Sequence, residues 1–441
     1  MDMDDERLIK YIDGLSRMIN VPTISDTAAP NGEAFAEFHR LIREMFPRVF
    51  DTFEYEEFHG SILLSHIVKC DADPVLFMSH HDVVPENGDW THKPFCATVD
   101  GGKLYGRGTL DTKGDLWAIL TSLEELLEEG YEFGRSIYVE SACNEETTQA
   151  GANEIADVLK KRGVRFDFTM DEGGMISRDP TGISDGEYAM VALGEKDCID
   201  LRFVARSCGG HSSTPDKHNP LSRLAKFIVD VEKHDLFKPM ISPVTIEMFG
   251  KLSQKMSGMQ GFVFRHAGAF RHILAKKLPQ ISTRTNSMVR TTLCFTKAKG
   301  SDACNVIPTE AYVIGNMRRA HHDDKDEIMK KLGKIAKKYD VEIIQQDPGY
   351  GSAVSDCNTA QFRFLEQTIA ENFPGVVTIP FISTGASDSK FFSELSDNVF
   401  RFAPFRVSGE QLGTMHAKDE NIDVSALIPA VEFYKSLIKK L

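Results

Sequence analysis

In Pro74–Pro85, PVLFMSHHDVVP, a short apolar run leads directly into two histidines and an aspartate. An uninterrupted apolar run of this length is typical of a strand buried on both faces of a parallel sheet. Successive side chains of an extended segment point to opposite faces, so we expect His80 and Asp82 to point one way and His81 the other. His80 is therefore a candidate metal ligand with Asp82 as its orienting carboxylate, and an exposed polar turn is the competing interpretation.

The composition is that of a folded, acidic, water-soluble protein. The chain has 441 residues, enough for two domains, with 41% hydrophobic and 26% charged residues. A formal net charge of −14 argues against a nucleic-acid partner. The eight cysteines are scattered singly, and the acidic N-terminus has neither a basic leader nor an apolar run long enough for a membrane span. We therefore expect a cytoplasmic protein with no membrane association.

The order of helical and strand-like segments predicts two domains. Segments alternate through residues 1–193, which predicts a doubly wound α/β domain with a largely parallel sheet. From residue 194 to 347 the order becomes strand, helix, two strands, helix, strand, which is the ferredoxin-like (α+β) order of an inserted lid. A further insertion, residues 237–286, interrupts the lid as loop plus helix. Residues 348–441 return to the first domain.

Acidic residues or histidine follow several of the predicted strands or stand at a strand-to-helix turn. These segments are His80–Asp82, GRGTLDTKG at 106–114, Asn144-Glu145-Glu146, and Asp171-Glu172. Asp111 of the second segment could equally be a helix N-cap. Because ligands gather at the carboxyl ends of parallel strands, we expect all these segments to converge on one edge of the sheet.

Imidazole and carboxylate without thiolate suit zinc or a similar divalent ion, and more than two carboxylates suit two ions that share a bridge. Two such ions hold a water, lower its pKa and stabilise a tetrahedral oxyanion. A spare carboxylate beside a ligating glutamate would serve as the general base.

Several motifs, in this order, resemble one known family. They are SHHDVVP, GRGTLDTKG, NEETTQAGA, DEGG, GGHSSTP, NVIPTEA with NMRR, STGASD and MHAKDEN. They resemble the zinc-dependent metallopeptidase family of carboxypeptidase G, aminoacylase, succinyl-diaminopimelate desuccinylase and cytosolic dipeptidases, from about residue 10 to the C-terminus. DEGG and the lid insertion are most similar to the aminoacylase and vacuolar-type carboxypeptidase branch.

The resemblance implies a set of metal ligands: His80, Asp111, Glu146, Glu172 and His416. Asp111 would bridge the two ions, Glu145 would be the general base, and Asp82 would orient the first histidine. Asp171 competes with its neighbour Glu172, because dipeptidase relatives use aspartate near this point.

A second implied group binds substrate. His211 of the lid would polarise the scissile carbonyl, in many relatives across a subunit boundary, although a turn histidine held by Ser212 and Ser213 is the alternative. Arg318, Asn305 and Gly385 match positions that bind a substrate carboxylate, and a guanidinium suits that role because it binds carboxylate bidentately. Arg319 is either a substitute for its neighbour or a surface charge.

The chain departs from the family beside the base. Many relatives have EExGG where this chain has Glu145-Glu146-Thr147-Thr148-Gln149, a less flexible and more polar loop. The Asp111–Thr112 peptide bond is expected to be cis, as in many relatives.

The expected activity is therefore hydrolysis of the amide bond in peptides or N-acyl amino acids with a free carboxylate, with two zinc ions, or cobalt or manganese in their place. Narrower dipeptidase or deacylase activity is one alternative, and an inactive metal-binding homologue is another. The lid allows a homodimer, unless the insertion covers its surface and leaves a monomer.

Overall fold

The N-terminal part of the chain forms most of a large mixed sheet and the helices on either side of it. The computed structural model describes residues 3–26, 32–178, 184, 186–346, 349 and 351–441. The strands are β1 Glu54–Phe58, β2 Ser61–His66, β3 Val75–Met78, β4 Thr98–Asp100, β5 Lys103–Tyr105, β6 Ile137–Ser141, β7 Phe168–Asp171, β8 Ile176–Arg178 and β9 Glu187–Glu195. The helices are α1 Met3–Ile19, α2 Glu33–Met45, α3 Pro47–Thr52, α4 Lys113–Glu128 and α5 Ala150–Lys161.

The middle of the chain forms a separate sheet and a group of short helices. Its strands are β10 Asp197–Arg206, β11 Gly210–His211, β12 Thr292–Lys299, β13 Val306–Ile307, β14 Glu310–Arg319 and β15 Glu342–Gln345. Its helices are α6 Pro220–Lys233, α7 Pro243–Leu252, α8 Gly258–Arg265, α9 Ala267–Lys277, α10 Thr283–Val289 and α11 Lys325–Lys338.

The C-terminal part returns to the first sheet. It contains α12 Ala360–Asn372, β16 Val377–Ser383, β17 Val399–Arg401, α13 Gly409–Leu412, β18 Asn421–Asp423 and α14 Leu427–Lys439. Short 3-10 helices occur at Ser253–Lys255, Leu278–Gln280, Asp388–Glu394 and Val424–Ala426. Within the described residues, no helix combines the length and the apolar content that crossing a bilayer requires.

The large sheet has the strand order β1-β2-β6-β3-β7-β17-β9-β16, with β8 beside β9. Its centre, from β6 through β3 and β7 to β17, is parallel, and antiparallel pairs flank that centre. The side chains of β3 show that helices cover both faces of the sheet. Val75 and Phe77 pack with α1, α4 and α14, whereas Leu76 and Met78 pack with α5. The predicted α/β class is confirmed, and the sheet is mixed towards its edges.

The lid sheet has the antiparallel order β12-β14-β10-β15, with α6 and α11 packed on it. Element order and strand order are those of the ferredoxin-like fold. The chain passes from one sheet to the other between β9, which ends at Glu195, and β10, which begins at Asp197. The predicted return at residues 347 and 348 lies outside the described residues.

The insertion corrects one expectation. Residues 237–286 are all described, and instead of loop plus helix they contain α7, α8, α9 and most of α10. Phe249 and Leu252 of α7 join a cluster with Tyr188 of β9 and Ile379 of β16. The insertion therefore packs mainly on the edge of the catalytic sheet rather than on the lid sheet. α10 continues to Val289, and β12 starts at Thr292.

Candidate metal centre

Neighbouring parallel strands bring the predicted ligands to one edge of the sheet. β3 lies between β6 and β7, and all three end at that edge. His80 follows β3, Glu145 and Glu146 follow β6, and Glu172 follows β7. The convergence expected from the sequence is therefore a consequence of strand order.

Asp111 lies at the centre of the site, just before α4, and its peptide bond to Thr112 is cis. One carboxylate oxygen, Oδ1, is 3.0 Å from His80 Nε2, and the other, Oδ2, is 3.0 Å from His416 Nε2. His416 Nε2 is also 3.0 Å from Glu146 Oε1. Ligand atoms of His80, Asp111 and Glu146 all lie within 4.8 Å of one another. A carboxylate with one oxygen towards each histidine is placed as a bridging ligand would be.

Asp82 is fully buried and ties two of the strand ends together. The backbone N–H groups of Glu145 and Glu146 donate to its two carboxylate oxygens, at 3.0 and 3.1 Å. Its Oδ1 and its carbonyl oxygen lie 3.4 and 3.0 Å from Nδ1 of His80. Asp82 is thus positioned to fix both the orientation of this imidazole and the course of the loop that carries the predicted base.

Asp171 and Glu172 differ in how their carboxylates are used. Asp171 accepts backbone hydrogen bonds from Glu172 and from Ser389, both at 2.9 Å. Burial and the nearby carboxylate of Asp111 raise the pKa of Glu172 well above its usual value. Because both carboxylate oxygens of Asp171 already accept backbone hydrogen bonds, we expect Glu172 to be the ligand, and its role stays a prediction.

Glu145 lies beside the ligands in an environment suited to proton transfer. Burial raises the pKa of its carboxyl to about 8, and the adjacent Glu146 carboxylate adds to the rise. The side-chain amide of Gln149 donates to Glu145 Oε1 at 2.5 Å, and Lys390 donates in turn to the amide oxygen of Gln149. The polar loop that departs from the family pattern therefore supplies a hydrogen bond to the predicted base.

His81 belongs to the core and not to the site. It is fully buried, its ring stacks on Phe38 with centroids 5.1 Å apart, and its Nδ1 lies 2.9 Å from the hydroxyl of Ser141. His416, by contrast, is exposed on one side, and its hydrogen bonds with Asp111 and Glu146 raise its pKa to about 10.

Glu420 was missed by the sequence reasoning. It is fully buried, and its carboxylate accepts from Arg107 Nη1 at 2.7 Å and from the N–H groups of Gly108, Leu110 and Asp111 at 3.1, 2.8 and 3.2 Å. It therefore holds the turn that presents the central aspartate. The only sequence signal for Glu420 is its position in MHAKDEN, shortly after His416.

His211 and Asn305 of the lid lie close to each other. Within the described residues, neither forms a hydrogen bond with a predicted metal ligand. β11, which contains His211, pairs with β13, and the N–H of Ser212 donates to the carbonyl of Asn305 at 3.0 Å. His211 itself is 2.7 Å from the Ser213 hydroxyl.

That contact between Ser212 and Asn305 joins the two lid loops into one unit. The other predicted substrate residues bond locally: Arg318 Nε donates to the side chain of Asn316 at 3.1 Å, and Gly385 N–H donates to the Ser383 hydroxyl at 3.1 Å. Their roles stay predictions.

The hydrogen-bond partners of Arg319 indicate its role. Its guanidinium forms an ion pair with the buried Asp197 and donates to the carbonyl of Asp323 at 2.6 Å. These bonds hold the start of β10 against the end of β14, so Arg319 is a structural residue rather than a surface charge or a substitute for Arg318.

An apolar cavity of about 340 Å³ adjoins the site, and we call it the methionine cavity. The side chains that characterise it are Met175, Met190, Met248, Met288, Met415 and Phe381. Gly173 and Gly174, which follow Glu172, also line it. Since Met415 precedes His416, the cavity lining includes the chain neighbours of two predicted ligands.

The α/β sheet, the ferredoxin-like lid and the histidine–carboxylate cluster together define a metal-dependent hydrolase. The model of "Peptidase family M20/M25/M40" matches residues 76–440, and the chain belongs to this family. It is 29% identical to the N-fatty-acyl-amino acid synthase/hydrolase PM20D1 of Homo sapiens, over 98% of this chain and 88% of that protein. It is 30% identical to the probable carboxypeptidase S-like 2 of Dictyostelium discoideum, over 92% of this chain and 79% of that protein.

A solved structure shows the same fold. The M20 family metallo-carboxypeptidase Sso-CP2 from Sulfolobus solfataricus matches with a TM-score of 0.70 at 19% identity, over 100% of this chain and 99% of that one. The catalytic-plus-lid architecture inferred from the sequence is confirmed.

Proposed function

We propose that this protein hydrolyses the amide bond of N-acyl amino acids or peptides that carry a free carboxylate, with two bound divalent cations. The observation that carries the proposal is the position of Asp111, whose two carboxylate oxygens face His80 and His416, with the Glu145 carboxylate beside them.

The donor set fits two hard or borderline cations. His80, Asp111, Glu146, Glu172 and His416 would hold them, and nitrogen and oxygen donors without thiolate favour zinc, with cobalt or manganese as substitutes. When bound, the cations would supply an activated water and stabilise the negative charge that develops on the carbonyl oxygen. The surplus of buried carboxylates around Asp111 is the charge arrangement that such cations would neutralise.

Glu145 would act as the base and then as the acid. Its pKa of about 8 lies near the range in which one carboxyl group can accept a proton from the attacking water and return it to the leaving nitrogen. Gln149 and Asp82 would keep this side chain and its loop in place through the hydrogen bonds described above.

The relatives and the cavity both favour an apolar acyl group. PM20D1 is named for its action on N-fatty-acyl amino acids, and the methionine cavity offers thioether and aromatic walls next to the predicted ligands. Methionine side chains adapt to flexible apolar ligands because they are unbranched and polarizable. We therefore place N-acyl amino acids with apolar acyl groups ahead of peptides as substrates.

A substrate panel tests the proposal. Metal-stripped protein would be assayed with zinc, cobalt or manganese against N-acyl amino acids and dipeptides, each paired with its C-terminal carboxamide. We expect hydrolysis of the free acids and much slower hydrolysis of the carboxamides. If no amide with a free carboxylate is cleaved with any of the metals, the proposal fails.

We also propose a homodimer formed through the lid. β12 is an edge strand with mostly exposed side chains, and the insertion packs on the other domain, which leaves this edge available for pairing. In such a dimer His211 would serve the partner's site. Sedimentation or light scattering at micromolar concentration would show a dimer if this is correct and a monomer if it is not.

We also propose a cytoplasmic location. The support for it is that the cysteines are placed singly, and all eight are described and free.

A further inference from the structure

A second cavity continues from the methionine cavity along the insertion. It has a volume of about 470 Å³ and lies where the catalytic domain, the lid and the insertion meet, and we call it the junction cavity. Apolar atoms predominate on its walls, and its apolar side chains include Met240, Pro243, Val244, Met288, Val354 and Ile382.

The side chains of Met288 and Ile382 line both cavities. Met288 belongs to α10, the helix that starts in the insertion and ends just after it, and Ile382 belongs to β16 of the catalytic sheet. One side chain from each element therefore forms the boundary between the cavities. Both residues are only partly buried, which leaves the boundary open to neighbouring space.

Helix α7 forms a common wall for the two cavities. Val244 lines the junction cavity and Met248 lines the methionine cavity. Residues four positions apart lie on the same face of a helix, one turn from each other. Val244 and Met248 therefore form an apolar strip that joins the two cavities along this face of α7, beside Glu247, which also lines the junction cavity.

Charged side chains also line the two cavities: Lys196, Glu247 and Asp356 line the junction cavity, and Arg284 lines the methionine cavity. Lys196 is buried, and its ammonium group donates to the carbonyl of Arg290 at 2.5 Å. The apolar part of the walls along α7, α10 and β16 consists of Val244, Met248, Met288, Phe381 and Ile382.

We propose that the two cavities form one acyl-binding groove, in which the chain of a long N-acyl amino acid passes from the metal centre through the methionine cavity, across Met288, and into the junction cavity. This inference rests on the proposed function and specifies its substrate class as long-chain N-acyl amino acids. The insertion is then the part of the molecule that sets acyl-chain length, with Met288 as the specificity-determining residue.

The experiment compares acetyl, butyryl, octanoyl, dodecanoyl and hexadecanoyl derivatives of one amino acid. Wild-type kcat/KM should rise with chain length by about three- to fourfold per buried methylene while the groove fills. Met288→Trp should block the passage, lowering kcat/KM for the hexadecanoyl substrate at least about tenfold and leaving the acetyl substrate within about twofold. Val354→Trp, at a residue that lines only the junction cavity, should affect only the longest chains.

Met259→Trp is the matched control, because Met259 belongs to the same insertion but is 78% exposed. It should leave the whole chain-length profile unchanged. Thermal melting of each variant would identify any that fails to fold, and Val354, which is 38% exposed, gives a second blocking position if the Met288 variant does not fold.

The outcomes separate the two proposals. Hydrolysis of the acetyl substrate with a flat chain-length profile, or with a profile that neither blocking variant changes, would overturn the groove and leave the proposed function standing. A Val354→Trp variant that lost activity equally on all chain lengths would also refute it, because the junction cavity would then serve a part common to every substrate. Failure to hydrolyse every acyl derivative would refute the proposed function itself.

Discussion

The most instructive perturbation is Glu420→Gln, because this buried carboxylate accepts hydrogen bonds from four donors. Its Oε2 accepts from Arg107 and Gly108, and its Oε1 accepts from Leu110 and Asp111. A glutamine has one oxygen and one amino group. Whichever way the amide is turned, two donors lose their acceptor and face another donor.

The magnitude follows from these four bonds. Hydrogen bonds to a charged group contribute about 1.5–3 kcal/mol each, so the loss of two predicts a destabilisation of about 3–6 kcal/mol. Most of that range coincides with the cost of about 3–5 kcal/mol for leaving a buried ionic group without its partner. Arg107 is such a group, since only 1% of it is exposed.

The assay is urea unfolding of metal-stripped protein, which removes the stabilisation that bound metal would add to the folded state. Glu410→Gln, at an exposed position of α13, is the matched control and should change the free energy of unfolding by less than about 0.5 kcal/mol. A loss below about 1 kcal/mol for Glu420→Gln would show that the Glu420 network is not a major source of stability, because the network would then contribute no more than one ordinary hydrogen bond.

Three further predictions concern the site and the core. Gln149→Ala should lower kcat about ten- to hundredfold by releasing the base from its hydrogen bond, with Thr148→Ala near wild type; equal kcat in both variants would count against the role of the amide. Burial raises the pKa of Asp115 to about 8, above an unfolded value near 3.9, so the folded state retains a proton that the unfolded state loses and stability falls by up to about 1.4 kcal/mol per unit between about pH 4 and 8. Asp115→Asn should flatten this slope in unfolding experiments, and an unchanged slope would exclude this group as its source. Glu172→Gln should reduce the bound metal measured by elemental analysis more than Asp171→Asn does, and the reverse order would assign the ligand to the aspartate.

The central part of the fold could be predicted because it depends on local patterns. β3 is buried on both faces, so an apolar run without alternation identified it, and the period of two placed His80 and His81 on opposite sides. The ferredoxin-like order of the lid was equally readable from the sequence of its segments. The convergence of the ligands then followed from the rule that parallel strands end at the same edge.

What could not be predicted depends on contacts between distant segments. Glu420 bonds to a turn more than three hundred residues earlier, and nothing near it in the sequence identifies those partners. The structural role of Arg319, which neither alternative from the sequence included, depends on its ion pair with the distant Asp197. The helices of the insertion were underestimated because short helices such as α8 and α10 are stabilised by the apolar cluster that they share with α7, β9 and β16 more than by their own sequence.

The proposed hydrolysis depends on Glu145 as general base, and the Glu145→Gln variant tests this role. The amide keeps the shape of the side chain but cannot take up the proton of the attacking water, so turnover should fall by about a hundred- to ten-thousandfold. Bound metal, measured by elemental analysis on the same preparation, should remain at the wild-type level. Turnover close to wild type with full metal content would show that Glu145 is not the general base.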